Sequence, residues 1–198
     1  MTSEEYYGPD FTRLEATRTA LETIAETLKA ARSPQEDLQP IVYYCSRIKQ
    51  PDSMIRKLRS RGLPVTREAA LDSVYDAVGL RIICSFASDV YHVASQLERD
   101  PRITVLVKKD YLAFPKQNGY RSMHLCIRFN ETGALAEIQI RTIAMDFWAT
   151  LEHQLKYKKM IAQEALIQRE LKRCADEIAS VDLSMQTIRE ILKENCSF

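Results

Sequence analysis

Within residues 134–141, ALAEIQIR, side chains alternate strictly between apolar and polar from Ala136 onward. A period of two is the signature of a β-strand with one buried and one accessible face. It sends Ala136, Ile138 and Ile140 one way and Glu137, Gln139 and Arg141 the other. Just upstream, SMHLCIRF (122–129) and an Asn-Glu-Thr-Gly turn complete a β-hairpin. The chain must therefore cover one oily sheet face with helices and leave a row of carboxylate, amide and guanidinium on the other. Such a row is either a solvated strand face or the wall of a cleft. In a cleft the Glu can hold a metal ion or deprotonate a hydroxyl, with the Arg against phosphate.

The remaining pattern supplies the other elements. Residues 11–31 place Leu14, Leu21, Ile24 and Leu28 on one helical stripe, ended by Ser33-Pro34. IVYYCSRIK (41–49), GLRIICSF (79–86) and ITVLVKK (103–109) read as strands. Helices are expected over MIRKLRSR, with Ser53 in the capping turn, over 88–100 and from a Thr142 cap to about Lys158. A last helix is expected over about 161–194. The reading is an α/β (α+β) fold, a mixed sheet with flanking N- and C-terminal helices. The only long loop is 110–121, DYLAFPKQNGYR.

Charge narrows the function. The 198-residue chain carries a net +1, which argues against a bulk DNA binder. Two stretches are nonetheless basic: 47–67 has seven Lys or Arg against Asp52, and 102–128 has six against Asp110. Two such stretches in a neutral protein suit a small polyanion held from two sides, or two solvated surfaces. Five scattered glycines form neither a Walker A loop nor a G-x-G-x-x-G turn. Five scattered cysteines without a C-x-x-C pair give neither a zinc ribbon nor a disulfide framework. No secretory signal or membrane-length apolar run is present, so a cytoplasmic protein is expected.

Individual residues fit a nucleotide site. Asp76, five residues before Arg81, is either a turn cap or a Mg²⁺ ligand, since Mg²⁺ commonly takes one or two carboxylates plus phosphate oxygens. Its strand and that of Glu137 are candidate neighbours. Arg47 and Lys49 pair a guanidinium that can stack on a purine with a point charge for phosphate. Tyr120, presented by Asn118-Gly119 between Lys116 and Arg121, can stack a base as a solvent-facing ring or cover a sheet edge. His124 can donate to phosphate.

In combination these stretches resemble the alarmone synthetase domain of the RelA/SpoT homologues. They are SRIKQPDSMIRKL (46–58), YDAVGLRIICSF (75–86), KKDYLAFPKQNGYRSMHL (108–125), AEIQIRT (136–142) and AMDFWATLEHQLKYK (144–158). The resemblance implies a nucleotidyltransferase-like fold with a catalytic core over about 40–158. It implies transfer of pyrophosphate from ATP to the 3′-hydroxyl of GTP or GDP, with release of AMP, using Mg²⁺. On it, Arg47 and Arg81 sandwich adenine, and Lys49, Ser53 and Lys57 belong to the ATP site. Asp76 and Glu137 are the metal ligands and catalytic acids, Glu137 being ligand or general base. Tyr120 stacks guanine, with Lys108, Lys116, Asn118, Arg121 and His124 around the acceptor. Gln139 and Arg141 support them. No His-Asp dipeptide of the family's hydrolase occurs, so synthesis without hydrolysis is expected. Other small relatives pyrophosphorylate adenine nucleotides or the tRNA 3′ end, and an inactive nucleotide-sensing or RNA-binding module is a further reading that the two acids disfavour.

The last helix carries Ile167, Leu171, Cys174, Ile178, Val181, Met185, Ile188 and Leu192 at alternating spacings of four and three. This is an a/d seam. Together with the N-terminal stripe it leads us to expect a homo-oligomer through the terminal helices, a tetramer by family resemblance.

Overall fold

The computed structural model describes residues 1–31, 39–157 and 164–195. The elements run α1 (Ser3–Tyr7), α2 (Asp10–Ala30), β1 (Ile41–Ile48), α3 (Pro51–Ser60), α4 (Arg67–Asp72), β2 (Val78–Cys84), α5 (Ala87–Arg99), β3 (Ile103–Asp110), β4 (Met123–Phe129), β5 (Leu135–Thr142), α6 (Ile143–Tyr157) and α7 (Glu164–Asn195). The strands form one sheet in the order β1-β2-β5-β4-β3. Only β2 and β5 are parallel; the other three pairings are antiparallel. The expected mixed sheet and hairpin are therefore present, and the strands following Asp76 and bearing Glu137 are neighbours.

The alternation in β5 decides the layers. Ala136, Ile138 and Ile140 are completely buried, joined by Leu125 and Ile127 of β4 and Leu80 and Ile82 of β2. Leu14, Leu21 and Ile24 of α2 and Val90, Val93 and Leu97 of α5 complete the same core. This corrects one expectation. The α2 stripe is consumed by its own sheet, so that helix has no spare apolar face for a second copy. Burial of a Leu or Ile side chain is worth about 1.5–3 kcal/mol, which explains why the stripe turns inward.

Helix starts follow local chemistry. Thr142 Oγ1 accepts the Met145 N–H at 3.1 Å, the expected cap of α6. Helix α3 begins earlier than the Ser53 cap suggested. Pro51 occupies its first turn, where a missing N–H costs nothing, so Ser53 lies inside that turn. Helix α1 has no counterpart in the sequence reading. It is capped by Thr2 and Glu5 in a reciprocal box, and Tyr7 is buried in the core.

α7 is the longest helix and splits into two zones. Leu171, Cys174 and Ile178 pack with Trp148, Ala149 and Ala175. Beyond them Val181, Met185, Ile188 and Leu192 are exposed. Arg189 turns inward to the Asp89 carboxylate of α5 at 2.6 Å, with Phe86 beneath its guanidinium. The segments 32–38, 158–163 and 196–198 lie outside the described residues; the expected beginning of the last helix falls there.

Candidate active site

The uncovered face of the sheet carries two successive rungs of side chains. On the first, the register joins Arg47 of β1 to Gly79 of β2, Gly79 to Glu137 of β5, and Glu137 to Cys126 of β4. On the second it joins Cys45, Arg81, Gln139, His124 and Lys109, one from each of the five strands. Residues directly opposite share a face, so sequence positions far apart are brought within reach by pairing alone. Arg47, Asp76, Gly79, Arg81, Glu137 and Gln139 line a cleft of about 130 Å³.

Asp76 sits just before β2. Its Oδ2 receives Lys49 Nζ at 2.8 Å and Lys57 Nζ at 2.6 Å. Burial opposes ionisation, but the two ammonium groups outweigh it and hold the carboxyl below the usual aspartate range. Asp76 Oδ1 is buried and has no hydrogen-bond partner among the described residues. An ionised, half-satisfied carboxylate at the cleft edge is suited to a hard cation that keeps other oxygen ligands. From below, Tyr7 donates its hydroxyl proton to the Lys49 carbonyl at 2.9 Å, so α1 supports this corner.

Glu137 is held in a closed ring of side chains. His124 Nδ1 lies 3.3 Å from Glu137 Oε1, and Gln139 donates to Glu137 Oε2 at 2.8 Å. Arg141 donates to Gln139 Oε1 at 2.7 Å and to the Tyr120 hydroxyl at 2.6 Å. That hydroxyl pairs with His124 Nε2 at 2.8 Å, which closes the ring. Burial would raise the pKa of Glu137. The His124 ring, by hydrogen bond and by charge when protonated, the Gln139 amide and the Lys57 charge together hold it down to about 2. Glu137 is therefore an anion throughout the physiological range. Arg141 is only 4% exposed. It also donates to Asp146 and Ser122, so it braces the site and is not presented to a phosphate.

The 111–122 loop closes over this ring. Lys116 Nζ stands 4.8 Å from the centre of the Tyr120 ring and 4.7 Å from that of Tyr111. Tyr111 and His124 meet Tyr120 edge-on. Tyr120 is thus half-buried, not solvent-facing, because its hydroxyl finds two polar partners in the sheet. Asn118 ties the loop to α6 through Glu152 at 3.0 Å. Arg121 points away from the cleft, donating to the Ala175 carbonyl at 3.3 Å and approaching Asp176 on α7.

Residues 46–162 match the family model described as "Region found in RelA / SpoT proteins". The chain belongs to the RelA/SpoT family. It is similar to GTP pyrophosphokinase YwaC of Bacillus subtilis, with 41% identity over 76% of this chain and 75% of that one. It is 34% identical to GTP pyrophosphokinase YjbM of the same organism over 89% and 87% of the two chains. Its fold matches the crystal structure of small alarmone synthetase 1 from Bacillus subtilis bound to its product pppGpp, with a TM-score of 0.79, 31% identity and coverage of 90% and 93%. Small alarmone synthetase 2 from Bacillus subtilis gives a TM-score of 0.76 at 35% identity, covering 92% and 98%.

Placed on this RelA/SpoT scaffold, most implied residues converge. Arg47, Lys49, Lys57, Asp76 and Arg81 gather at one end of the cleft, and Tyr120, His124, Glu137, Gln139 and Arg141 form the ring beside it. Ser53 lies one turn before Lys57 on α3, and its hydroxyl accepts from Arg56. Lys108 does not join them. It is in register with buried Leu125 and pairs with Glu98 of α5 at 2.6 Å, on the helix-covered face. A register shift between Val105 and Val107 sets this phase and brings Lys109 opposite His124 instead. The sequence offers two adjacent lysines, and the bulge, invisible in a period-two pattern, decides between them. Asp146, within the AMDFW stretch, has no role in the sequence reading. It is buried, and Tyr43 donates to it at 2.8 Å. Burial, then that hydrogen bond, push the Tyr43 hydroxyl up to about 12, so it remains a donor.

Proposed function

We infer that this chain is a (p)ppGpp synthetase, transferring the β,γ-pyrophosphate of ATP to the 3′-hydroxyl of GDP or GTP and releasing AMP. The relatives named GTP pyrophosphokinase and the pppGpp-bound neighbour support the reaction class. The observation that carries it to this molecule is the first rung. Arg47 and Glu137 flank a position with no side chain, Gly79, and Asp76 with its two lysines stands at the open end.

Each group has a task derivable from its surroundings. Arg47 and Arg81 stand on adjacent strands and offer guanidinium planes for a purine. Lys49 and Lys57 are bound to Asp76 and can turn to incoming phosphate oxygens. Asp76 and Glu137 would then hold Mg²⁺, whose contribution is to offset the charge of the transferring phosphates. The buried Asp76 Oδ1, which has no hydrogen-bond partner among the described residues, supports an ion whose remaining ligands would be substrate oxygens. Glu137, permanently ionised, accepts the hydrogen bond of the 3′-hydroxyl and aligns it for attack on the β-phosphorus. The acceptor guanine lies against Tyr120, with Lys116, Lys109 and His124 near its phosphates.

The exposed apolar residues of α7 beyond Ile178, with Ile143, Phe147 and Leu151 along α6, support a homo-oligomer, a tetramer by resemblance to the family. Four described cysteines are free thiols, which supports a cytoplasmic setting. No helix among the described residues is long and apolar enough to cross a membrane.

Product analysis tests the function. Protein, Mg²⁺ and labelled ATP are offered GDP, GTP, ADP or deacylated tRNA. AMP and a 3′-pyrophosphorylated guanosine nucleotide are expected. Label appearing only with ADP or tRNA would replace this reading with the adenine- or tRNA-directed one.

A further inference from the structure

Asp146 lies in the first turn of α6, buried where β2 and β5 end, and touches three strands. Its Oδ1 takes Arg81 Nη1 of β2 at 3.3 Å and Arg141 Nη1 of β5 at 3.2 Å. Its Oδ2 accepts the Tyr43 hydroxyl of β1 at 2.8 Å. One carboxylate oxygen is thus shared by two guanidinium groups that serve opposite halves of the cleft. Arg81 lines the cleft beside Arg47, and its Nε is buried with no hydrogen-bond partner among the described residues. The charge that anchors this guanidinium is therefore the Asp146 carboxylate. Arg141 supports the other half, through Gln139 to Glu137 and through Tyr120 to His124.

We propose that Asp146 is a positioning residue that couples the ATP half of the cleft to the acceptor half, by holding Arg81 and Arg141 on the same carboxylate oxygen. A shared acceptor makes the two orientations interdependent. A purine stacked on Arg81 while that guanidinium stays paired with Asp146 fixes the carboxylate, and with it Arg141 and the ring around Glu137. The converse holds when the acceptor settles against Tyr120. Coupling of this kind is reciprocal in binding free energy. Tyr43 fixes the carboxylate plane from the third side, so the sharing is not lost to rotation about the Asp146 side chain.

This rests on the synthetase reading, and a wild-type protein that makes no AMP from ATP and GDP would overturn that reading separately. The test is a double-mutant cycle read in two Michaelis constants. Asp146→Asn keeps the shape and removes the charge. It is expected to raise KM for ATP and KM for GDP, each by at least about fivefold, the lower end of usual coupling between sites. Arg81→Ala is expected to raise KM for ATP. In the double variant the two ATP penalties should fail to add, because the Asp146→Asn change has no Arg81 left to misplace, while the GDP penalty persists. A merely structural role would lower active fraction and kcat without this substrate-resolved pattern. Unchanged KM for both substrates in Asp146→Asn, a change confined to one, or full additivity for ATP would overturn the proposal. Should Asp146→Asn fail to fold, the cycle is run with Tyr43→Phe. It should raise both constants by a smaller factor, and no effect on either would overturn the proposal equally.

Discussion

His124 Nδ1 and Glu137 Oε1 face each other at 3.3 Å across two antiparallel strands. The imidazole does not stand alone on a strand, and Glu137 is not a solvated acid. Each is placed by the other and by the ring that continues through Tyr120, Arg141 and Gln139.

Glu137→Gln retains the shape and the contact to His124 but removes the charge. The kcat for pyrophosphate transfer should fall at least about a hundredfold, the range of a general acid–base group. Steady-state kinetics with ATP and GDP measure it. Near-wild-type turnover would remove Glu137 from the chemistry.

On the proposed function Tyr120 offers a ring to the acceptor base and a hydroxyl to Arg141 and His124, and substitution separates the two. Tyr120→Ala removes the ring and should weaken acceptor binding by roughly 1–3 kcal/mol, the worth of a base–aromatic stack. Tyr120→Phe keeps the ring and deletes only the hydroxyl shared by Arg141 and His124. It should raise KM for GDP less than Tyr120→Ala does, and lower kcat. Equal KM changes in both variants would show that the hydroxyl, not the ring, governs acceptor binding.

Gly119 has φ +87°, and a Cβ there would meet Ala175 Cβ of α7 at 2.5 Å. Gly119→Ala must therefore lift the acceptor loop off α7 as well as strain its backbone, the latter alone costing about 1–2 kcal/mol. KM for the acceptor should rise more than KM for ATP. A variant with wild-type kinetics would show that the loop does not need its seat on α7.

The periodic elements of this fold are legible in the sequence because side-chain alternation and burial coincide. The five strands, the hairpin and the Thr142 cap follow from residue order. Helix α1 is too short to carry a period, and its one sequence signal is the Thr2–Glu5 capping box. The convergence of Asp76 with Lys49 and Lys57 is legible only through family motifs. Lys109 and Asp146 escape for different reasons. A bulge in β3 reverses which lysine faces the cleft, and Asp146 acquires its role solely from Tyr43, Arg81 and Arg141 arriving on three strands.

The assembly prediction follows the split of α7. Ile178 packs inside its own chain, so Ile178→Asp would damage the fold itself. Ile188 is 50% exposed. Ile188→Asp should dissociate an oligomer while leaving the far-ultraviolet circular dichroism unchanged. Light scattering on a sizing column reads the mass; a wild-type monomer at micromolar concentration would exclude this interface.

Asp182 on α7 accepts the Thr142 hydroxyl. Burial raises its pKa above the ordinary 3.8, more than Thr142 and Arg121 lower it. The folded state therefore binds this proton more tightly than the unfolded state. The ionised group costs stability above its folded pKa, and the cost vanishes as pH falls toward 3.8. Asp182→Asn should raise Tm at neutral pH, with the gain shrinking in that acidic window. A gain independent of pH would show that charge is not its cause.

At Gly79 an added Cβ would find only ordinary contacts, with Arg47 Cγ at 3.8 Å. Its φ is one that any residue adopts. The backbone therefore tolerates a larger residue, and what such a residue would fill is the gap between Arg47 and Glu137. Foldability and ligand capacity come apart at this one position. A chain with Ala there would still pair β1 with β2 and β2 with β5. On the proposed function, the same change would take up room meant for the nucleotide.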